Sequence, residues 1–508
     1  GSPGSIPATA DLLAVVANLD NGAVVLPGLD VDTGNDAWTA LQDHHPQFGL
    51  ARLLTHLGVE REDVGLWQAP GFTSEQSARA RLFHTALTPA GAVEAPLPGK
   101  KETEDALNGI ARIDCPTPRE EAAVIALIMR QTLEAPEKTC ALVTPDRGLA
   151  RRVAAELTRW GIDVDDSAGL PLAQTLPSAF LMLTARMLAD GLSPVSLLAA
   201  LKHPLAAGGM TAGAFRALTR TLEVNLLRGP RPAPGIKGLQ AAAKANKKTG
   251  RDLKDFIDRL QTLIEPFARV MDGSGKNFTS FLTAHVHMAE ALAADKVSDG
   301  AGRLWAGDSG EAAANFVAEL KDAGGALETV TATDYPALLE TLMAGRMVRP
   351  RFGRHPRLHI WGLLEARLQQ ADVMILGGLN DDTWPPEAKA SPWMSRPMLK
   401  RFGLPAPERR IGLAAHDFAQ AFAAPQVVLT RSERVDGTPQ VASRWLLRLD
   451  NVLEKKGIKT GFAATEPWLA WVHALDKPDQ SRAVSEPRPT PPLDARPRQL
   501  PVPQVEHW

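Results

Sequence analysis

The chain has 508 residues, more than one hydrophobic core normally organises, so we expect two or three domains. Hydrophobic residues make up 44% of the sequence and charged residues 22%, which excludes a largely disordered chain. A net charge of −2 excludes a general basic field, so any contact with nucleic acid must come from local patches. Two cysteines exclude a disulfide framework and a four-cysteine metal site made by this chain alone.

The amino-terminal quarter carries short, weak signals. Residues 22–26 (GAVVL), followed by Pro27 and Gly28, predict a short buried strand. Helical spacing predicts a short helix over 48–57, followed by a loop rich in alanine, proline and glycine. No apolar run reaches the ~18 residues that a membrane span needs. We therefore expect no membrane contact and a cytoplasmic location.

The clearest unit begins at Thr117. This residue is expected to cap a helix, with Pro118 in the first turn and Glu120 completing a capping box. Residues 140–143 then predict a buried strand, and after a turn a second helix leads to an extended segment at 162–164. Strand, helix and strand in this succession predict a parallel α/β unit.

The pattern changes between residues 177 and 345, where helical repeats of alanine and leucine dominate and no strand is predicted. Short apolar strands return at 358–361, 373–376 and 427–430, and a helix is predicted over 441–453. After residue 476, proline-rich sequence predicts an extended linker. The sequence therefore predicts a parallel α/β domain interrupted by a large all-helical insertion.

Two strings match catalytic motifs only in part. Residues 273–276 (GSGK) lack the earlier glycine, the following hydroxyl residue and the preceding strand of a phosphate-binding loop. Residues 387–389 (EAK) match half of a two-carboxylate, one-lysine nuclease site, whose first carboxylate normally comes from a separate strand. The histidines have no ligand spacing either. We therefore predict no catalytic residue and no metal site.

Polar residues at the predicted strand ends are more informative, because open α/β sheets bind ligands at their carboxyl edge. This edge is expected to present Arg147, Asn380, Trp384, Arg431 and Arg434. Arginines there can clamp phosphates, and a tryptophan ring can stack on a base. Ordinary solvated turns are the alternative interpretation.

Basic residues also gather in two loops, at 396–410 and at 228–251. Basic loops on a near-neutral chain fit contact with a DNA backbone, although a solvated surface produces the same pattern. The predicted DNA-binding residues are Asn380, Trp384, Arg409, Arg410 and Arg434.

Several longer strings, in this order, resemble the AddB family, the second subunits of bacterial AddAB helicase–nucleases for double-strand break repair. They include HPQFGLARLLTHLGV at 45–59, CALVTPDRGLARRVAAELTRWGIDVDDSAG at 140–169, RLHIWGLLEARLQQADVMILGGLNDDTWP at 357–385 and VVLTRSERVDGTPQVASRWL at 427–446. The similarity is greatest to the alphaproteobacterial form. It covers most of the chain and is weakest in the helical middle.

The resemblance implies a superfamily-one helicase-like, P-loop NTPase-type fold and a set of boundaries. Residues 1–110 would end a first helicase-like domain, 111–176 and 349–455 would form the two parts of a second, 177–348 the all-helical insertion, and 456–508 a helix and linker toward a missing nuclease domain. In motors of this class, Arg147 and Arg431 correspond to phosphate-contacting arginines and Glu365 to a ribose contact. The chain, which does not begin with Met, is interpreted as an internal fragment.

Departures from the motor pattern are substantial: Trp361 precedes Gly362 where active motors carry a lysine, and the sequence has no phosphate-loop motif. The resemblance therefore implies a degenerate motor that binds single-stranded DNA and break ends as a heterodimer with an AddA-type subunit. ATP and Mg²⁺ would belong to the parent hydrolase, and the chain alone is expected to lack activity and cofactors. A working ATP-dependent motor domain and a partner-docking scaffold remain alternatives.

Overall fold

The computed structural model describes residues 6–67, 74–88, 99–246, 249–272, 277–326, 330–349, 355–388, 390–458, 462 and 467–477. The chain forms two compact units, one made of Gly1–Trp160 with Ala366–Trp508 and the other of Gly161–Glu365. We call them the α/β unit and the helix-rich unit. Across the described part of the chain, no helix combines the length and the apolar character needed to cross a membrane.

In the part of the chain that the structure describes, ten short strands form three sheets, and six of them make one sheet in the order β1-β8-β7-β2-β6-β3. The strands are β1 (Ile110–Cys115), β2 (Cys140–Val143), β3 (Asp165–Asp166), β4 (Leu170–Pro171), β5 (Met347–Val348), β6 (Leu358–Trp361), β7 (Val373–Leu376), β8 (Gln426–Ser432), β9 (Arg434–Val435) and β10 (Thr438–Pro439). The pairs β1–β8, β8–β7, β7–β2 and β6–β3 are parallel. The predicted parallel α/β class is confirmed.

The α-helices follow in chain order: α1 (Pro7–Ala17), α2 (Asn35–Thr39), α3 (Phe48–Leu57), α4 (Ser74–Leu87), α5 (Lys100–Ala106), α6 (Pro118–Thr132), α7 (Arg147–Leu157), α8 (Leu176–Ala189), α9 (Pro194–Leu201), α10 (Ala212–Leu222), α11 (Gly235–Ala245), α12 (Arg251–Met271), α13 (Phe278–Ala293), α14 (Gly300–Leu304), α15 (Gly307–Ala323), α16 (Tyr335–Met343), α17 (Leu363–Ala366), α18 (Arg396–Arg401), α19 (Arg409–Phe422), α20 (Arg444–Lys455) and α21 (Trp468–Leu475). Short 3-10 turns lie at 61–63, 158–160, 172–174 and 324–326, and a π-helical turn at 223–227.

Local signals explain the helices that flank β2. The hydroxyl of Thr117 accepts the main-chain N–H of Arg119 at 3.2 Å and caps α6. The carboxylate of Asp146 accepts the N–H of Gly148 at 2.7 Å and caps α7 in the same way. Each cap satisfies a main-chain donor that the first helical turn leaves open, and is typically worth about 1 kcal/mol.

Two differences from the predicted elements stand out. The strand predicted at 22–26 is wrong: the segment is irregular, and Val25 is exposed, so its apolar side chains gain no cross-strand burial. Conversely, β1 was not predicted, although its whole length pairs with β8 from Val427 to Ser432. Its sequence places Arg112 and Asp114 among apolar residues, and three of its six positions are only half-buried. It therefore lacks the continuous apolar run that marks a buried strand.

The helix-rich unit has an apolar core in which aromatic rings surround the sole tyrosine of the chain. Tyr335 is buried among Phe267, Phe278 and Phe281 at ring-centroid distances of 5.4 to 5.9 Å. Its hydroxyl lies 2.9 Å from Nδ1 of the buried His285. Such ring pairs add to the stabilisation gained from buried area.

Candidate functional site at the carboxyl edge of the sheet

Parallel pairing brings the carboxyl ends of four strands of the α/β unit to one edge, in the order β1, β8, β7, β2. The residues singled out from the sequence lie at or after these strand ends: Arg431 is the penultimate residue of β8, Asn380 follows β7, and Arg147 follows β2. The edge brings Arg431 and Asn380 into direct contact, with Nε donating to Oδ1 at 3.1 Å.

Arg431 is bound on all sides by protein groups. Besides Asn380, its guanidinium donates to the main-chain oxygen of Gln440 at 2.7 Å and approaches the Asp114 carboxylate at 3.5 Å. Asp114 is held in turn by Arg112 at 2.9 and 3.0 Å. Only 7% of Arg431 is exposed. A phosphate contact by Arg431 would therefore require breaking bonds that join β1, β8 and the loop before α20.

Asn380 completes this arrangement. Its amide nitrogen donates to the main-chain oxygen of Ser432 at 3.0 Å and to its hydroxyl at 3.2 Å, while its amide oxygen accepts from Arg431. The side chain is buried, and its amide groups bond to Ser432 and Arg431 at the end of β8. Its predicted role in DNA contact is not supported by this placement.

Trp384 is fully buried. Its indole N–H donates to the main-chain oxygen of Gly377 at 3.1 Å, and its ring packs edge-on against Phe418 and Trp445 at 5.5 and 5.8 Å. This placement does not support the predicted stacking of Trp384 on a base, because the ring has no exposed face. It is a core residue that secures the loop after β7.

Glu121, which was not singled out from the sequence, lies at the centre of the same edge. One carboxylate oxygen accepts the N–H of Gly378 and the hydroxyl of Thr430, each at 2.8 Å. Burial raises the pKa of Glu121 to about 7, against the lowering effect of those two hydrogen bonds. The sequence signal for Glu121 is that it is the second acidic residue in the first turn of α6. Helix capping explains only the first of the two, Glu120.

Arg147 and Glu365 lie in different units. Arg147 is half-buried in the first turn of α7, directly after the capping residue Asp146. Glu365 is half-buried in the short helix α17 of the helix-rich unit, where its carboxylate folds back toward Gly362. The predicted phosphate and ribose contacts of these two residues stay predictions.

The basic residues of the segment 396–410 differ in exposure. Arg409 is buried at the start of α19, where burial and then the nearby Arg52 lower its pKa. This placement does not support the predicted contact of Arg409 with DNA. Arg410 beside it and Arg434 on β9 are exposed, so these two predicted contacts remain accessible.

The second basic stretch belongs to the helix-rich unit. Its described cations are exposed, and Arg228 forms an ion pair with Glu223 at 2.9 Å. Lys247 and Lys248 lie outside the described residues, as do the GSGK string and Lys389 of the EAK string. Among the described residues, no group of three or more His, Cys, Asp or Glu side chains is arranged to hold a metal ion.

Comparison with known proteins gives one distant similarity to report. An uncharacterized protein of Rickettsia felis is 23% identical over 334 residues, which cover 66% of this chain and 35% of that protein. The chain therefore spans about a third of the length of this relative. No protein-family model matches the chain.

Proposed function

We propose that the chain is the central, helicase-like region of an AddB-type subunit, and that it binds DNA without turning over ATP. The bonding of Arg431 carries this proposal. A motor arginine must offer its guanidinium fork to a nucleotide phosphate, whereas Arg431 is buried and donates to Asn380 and Gln440. These residues do not fit a bound nucleotide, which favours a degenerate motor over a working one.

The helicase-like part of the proposal is supported by the order of the sequence strings along the sheet. The segments at 140–169, 357–385 and 427–446, which resemble AddB, supply β2, β6, β7 and β8 of one sheet. Helices α8 to α16 fall between the first and second of these segments. A parallel sheet built from both sides of a helical insertion is the architecture that the resemblance implies.

DNA binding is supported by exposed cations rather than by net charge. Arg410 and Arg434 of the α/β unit and the described lysines and arginines of 228–251 are exposed. Cations on a surface release counterions when they contact phosphates, so they add sequence-independent affinity. The proposed ligands are single-stranded DNA and break ends. The proposed partner is an AddA-type helicase–nuclease subunit, with ATP and Mg²⁺ used by the parent complex.

The test uses the 508-residue chain with a fluorescent single strand and a blunt duplex. We expect binding that weakens steeply between about 50 and 200 mM salt, with the slope reduced in Arg410→Gln. The slope is expected to be unchanged in the control Arg152→Gln, which replaces an exposed arginine of α7 outside the proposed contact residues. ATP turnover is expected to stay flat with and without single-stranded DNA. Turnover stimulated by DNA would replace this proposal with a working motor, and negligible, salt-insensitive binding would replace it with a docking scaffold.

A further inference from the structure

An exposed aromatic segment precedes α19 in the α/β unit. Trp393 is 88% exposed and Phe402 is 66% exposed. Met398, which lies between them in the sequence, and Leu404, which follows Phe402, are also exposed. We call residues 393–404 the aromatic segment. Large apolar side chains that are grouped on a surface, rather than scattered singly, mark an interaction site.

The backbone of the aromatic segment is ordered by its own hydrogen bonds. Helix α18 spans its middle, and the turn after it closes through Phe402 N–H to Met398 O at 3.0 Å and Leu404 N–H to Leu399 O at 2.9 Å. The N–H of Trp393 is held by the Ser391 hydroxyl at 3.2 Å. The two rings are therefore presented by a fixed scaffold, which lowers the entropy lost on binding.

Charge decides which ligand fits. Residues 388–407 contain Lys389, Arg396, Lys400 and Arg401 but no aspartate or glutamate. Arg396 pairs with Glu408 at 2.5 Å, which leaves the exposed Lys400 and Arg401 as the positive charge beside the rings. The complementary ligand carries negative charge together with flat apolar faces. Single-stranded DNA has both, whereas a duplex hides its base faces in the stack.

We propose that the aromatic segment is a stacking platform for single-stranded DNA. Trp393 and Phe402 stack on bases, and Lys400 and Arg401 contact the intervening phosphates. The inference rests on the proposed DNA-binding function and assigns it a surface: the exposed Trp393 takes the role that the buried Trp384 cannot fill. Stacking on aromatic rings tolerates any base, so binding at this surface is independent of sequence.

The experiment separates stacking from charge with two probes of equal charge. One is a fluorescent oligothymidine of about 15 nucleotides, and the other is an abasic oligonucleotide of the same length. Trp393→Ala with Phe402→Ala is expected to weaken oligothymidine binding roughly 5- to 150-fold per ring and to leave abasic binding unchanged. Trp393→Tyr with Phe402→Tyr is expected to restore binding, because the rings are kept.

Two control variants complete the set. Lys400→Gln with Arg401→Gln is expected to weaken both probes and to reduce the salt slope by about 0.7 per lost phosphate contact. Trp67→Ala removes another exposed tryptophan, 70% exposed, and is expected to change neither probe. Because all these side chains lie on the surface, the unfolding temperature of each variant is expected to match that of the unsubstituted chain.

The outcomes are distinguishable. If the unsubstituted chain binds no single strand, the proposed function fails and this inference falls with it. If it binds and the double alanine variant binds equally well, or loses both probes equally, only the stacking platform is overturned. The platform is also overturned if the unsubstituted chain binds phosphatidylserine vesicles and the double alanine variant loses that binding while it still binds DNA. That result would assign the aromatic segment to an anionic membrane surface.

Discussion

The two compact units differ in what their cores contain. Among the described residues, seven charged side chains are buried in the α/β unit and no Asp, Glu, Lys or Arg is buried in the helix-rich unit. The seven are Asp30, Arg61, Arg79, Glu121, Arg409, Asp417 and Arg431. The polar network His285–Thr184–Tyr335 lies in that second core, with each ring nitrogen 2.9 Å from its partner.

The difference follows from how each architecture satisfies its main chain. A helix pairs its own N–H and C=O groups along its length, so helices can meet through apolar side chains alone. The loops at sheet ends leave donors and acceptors open, and buried charges bind them: Glu121 accepts from Gly378, Arg431 donates to Gln440, and Arg79 donates to Ala106. These buried charges lie at both ends of the sheet, Arg79 where β1 and β8 begin and Glu121 and Arg431 where the strands end. They indicate loop fixation rather than ligand binding.

The strongest test of this comparison is Arg79. Its guanidinium donates to the main-chain oxygens of Ala106, Asn108, Ala424 and Pro425, which lie in the segments that lead into β1 and β8. Replacing it by methionine leaves these acceptors unsatisfied, so we expect the free energy of unfolding to fall by about 1–3 kcal/mol for each acceptor that stays buried.

Arg81→Met, two residues along α4, is the matched control. Arg81 is exposed and pairs with Glu102 at 2.7 Å, and such surface pairs contribute about 0–1 kcal/mol. Both variants are measured by urea unfolding. Equal losses in the two would mean that buried charge does not fix the strand entries.

Arg431 tests whether the sheet edge is structural or binds a ligand. Arg431→Gln removes the bonds to Asn380 and Gln440, and we expect a loss of about 2–3 kcal/mol in unfolding free energy. Single-strand affinity of the folded variant is expected to be unchanged. The reverse result, unchanged stability with weakened DNA binding, would make Arg431 a ligand contact.

His285 tests the helix-rich core. Burial lowers the pKa of His285 to about 3, so its ring is neutral and joins Thr184 to Tyr335. His285→Gln is expected to lower the free energy of unfolding by about 1–2 kcal/mol at pH 7.5, while the exposed His287→Gln changes it little.

The pH dependence of His285 has a defined sign. A histidine whose folded pKa is depressed contributes stability that is complete above the unfolded value near 6.5 and is lost as pH falls toward 3. The advantage of the unsubstituted chain over His285→Gln is therefore expected to shrink below pH 6.5. An advantage that grows on acidification would contradict the buried neutral ring.

The contribution of Glu121 to stability is expected to depend on pH in the opposite direction to that of His285. The effect of Glu121→Gln on the free energy of unfolding is expected to be smallest at pH 5. Its folded pKa of about 7 lies above the ordinary value of 4.5, so stability falls as pH rises between these values. Glu121→Gln keeps an acceptor for Gly378 and Thr430 without the charge. We expect the variant to match the unsubstituted chain at pH 5 and to exceed its unfolding free energy at pH 8; a flat difference would refute the raised pKa.

Much of the fold was predictable because its signals are local. The predicted bounds of β2, β6 and β7 match the structure, since a short apolar run between turn residues is a complete description of a buried strand. Thr117 caps α6 as expected, because a cap depends on residues two or three positions apart. Strand β1, in which charged residues interrupt the apolar ones, was missed, and the unpaired segment 22–26 was mispredicted, because strand pairing depends on distant residues.

The sequence by itself determined the parallel α/β class, the helical run between its halves and which polar residues leave the strand ends. Only the tertiary structure decided which of those residues are accessible. Trp384 is covered by Phe418 and Trp445, and Glu121 meets Thr430 across 309 positions of chain. Burial is set by such long-range contacts, so the spacing that located Trp384 could not show that Trp393, nine residues on, is the exposed ring.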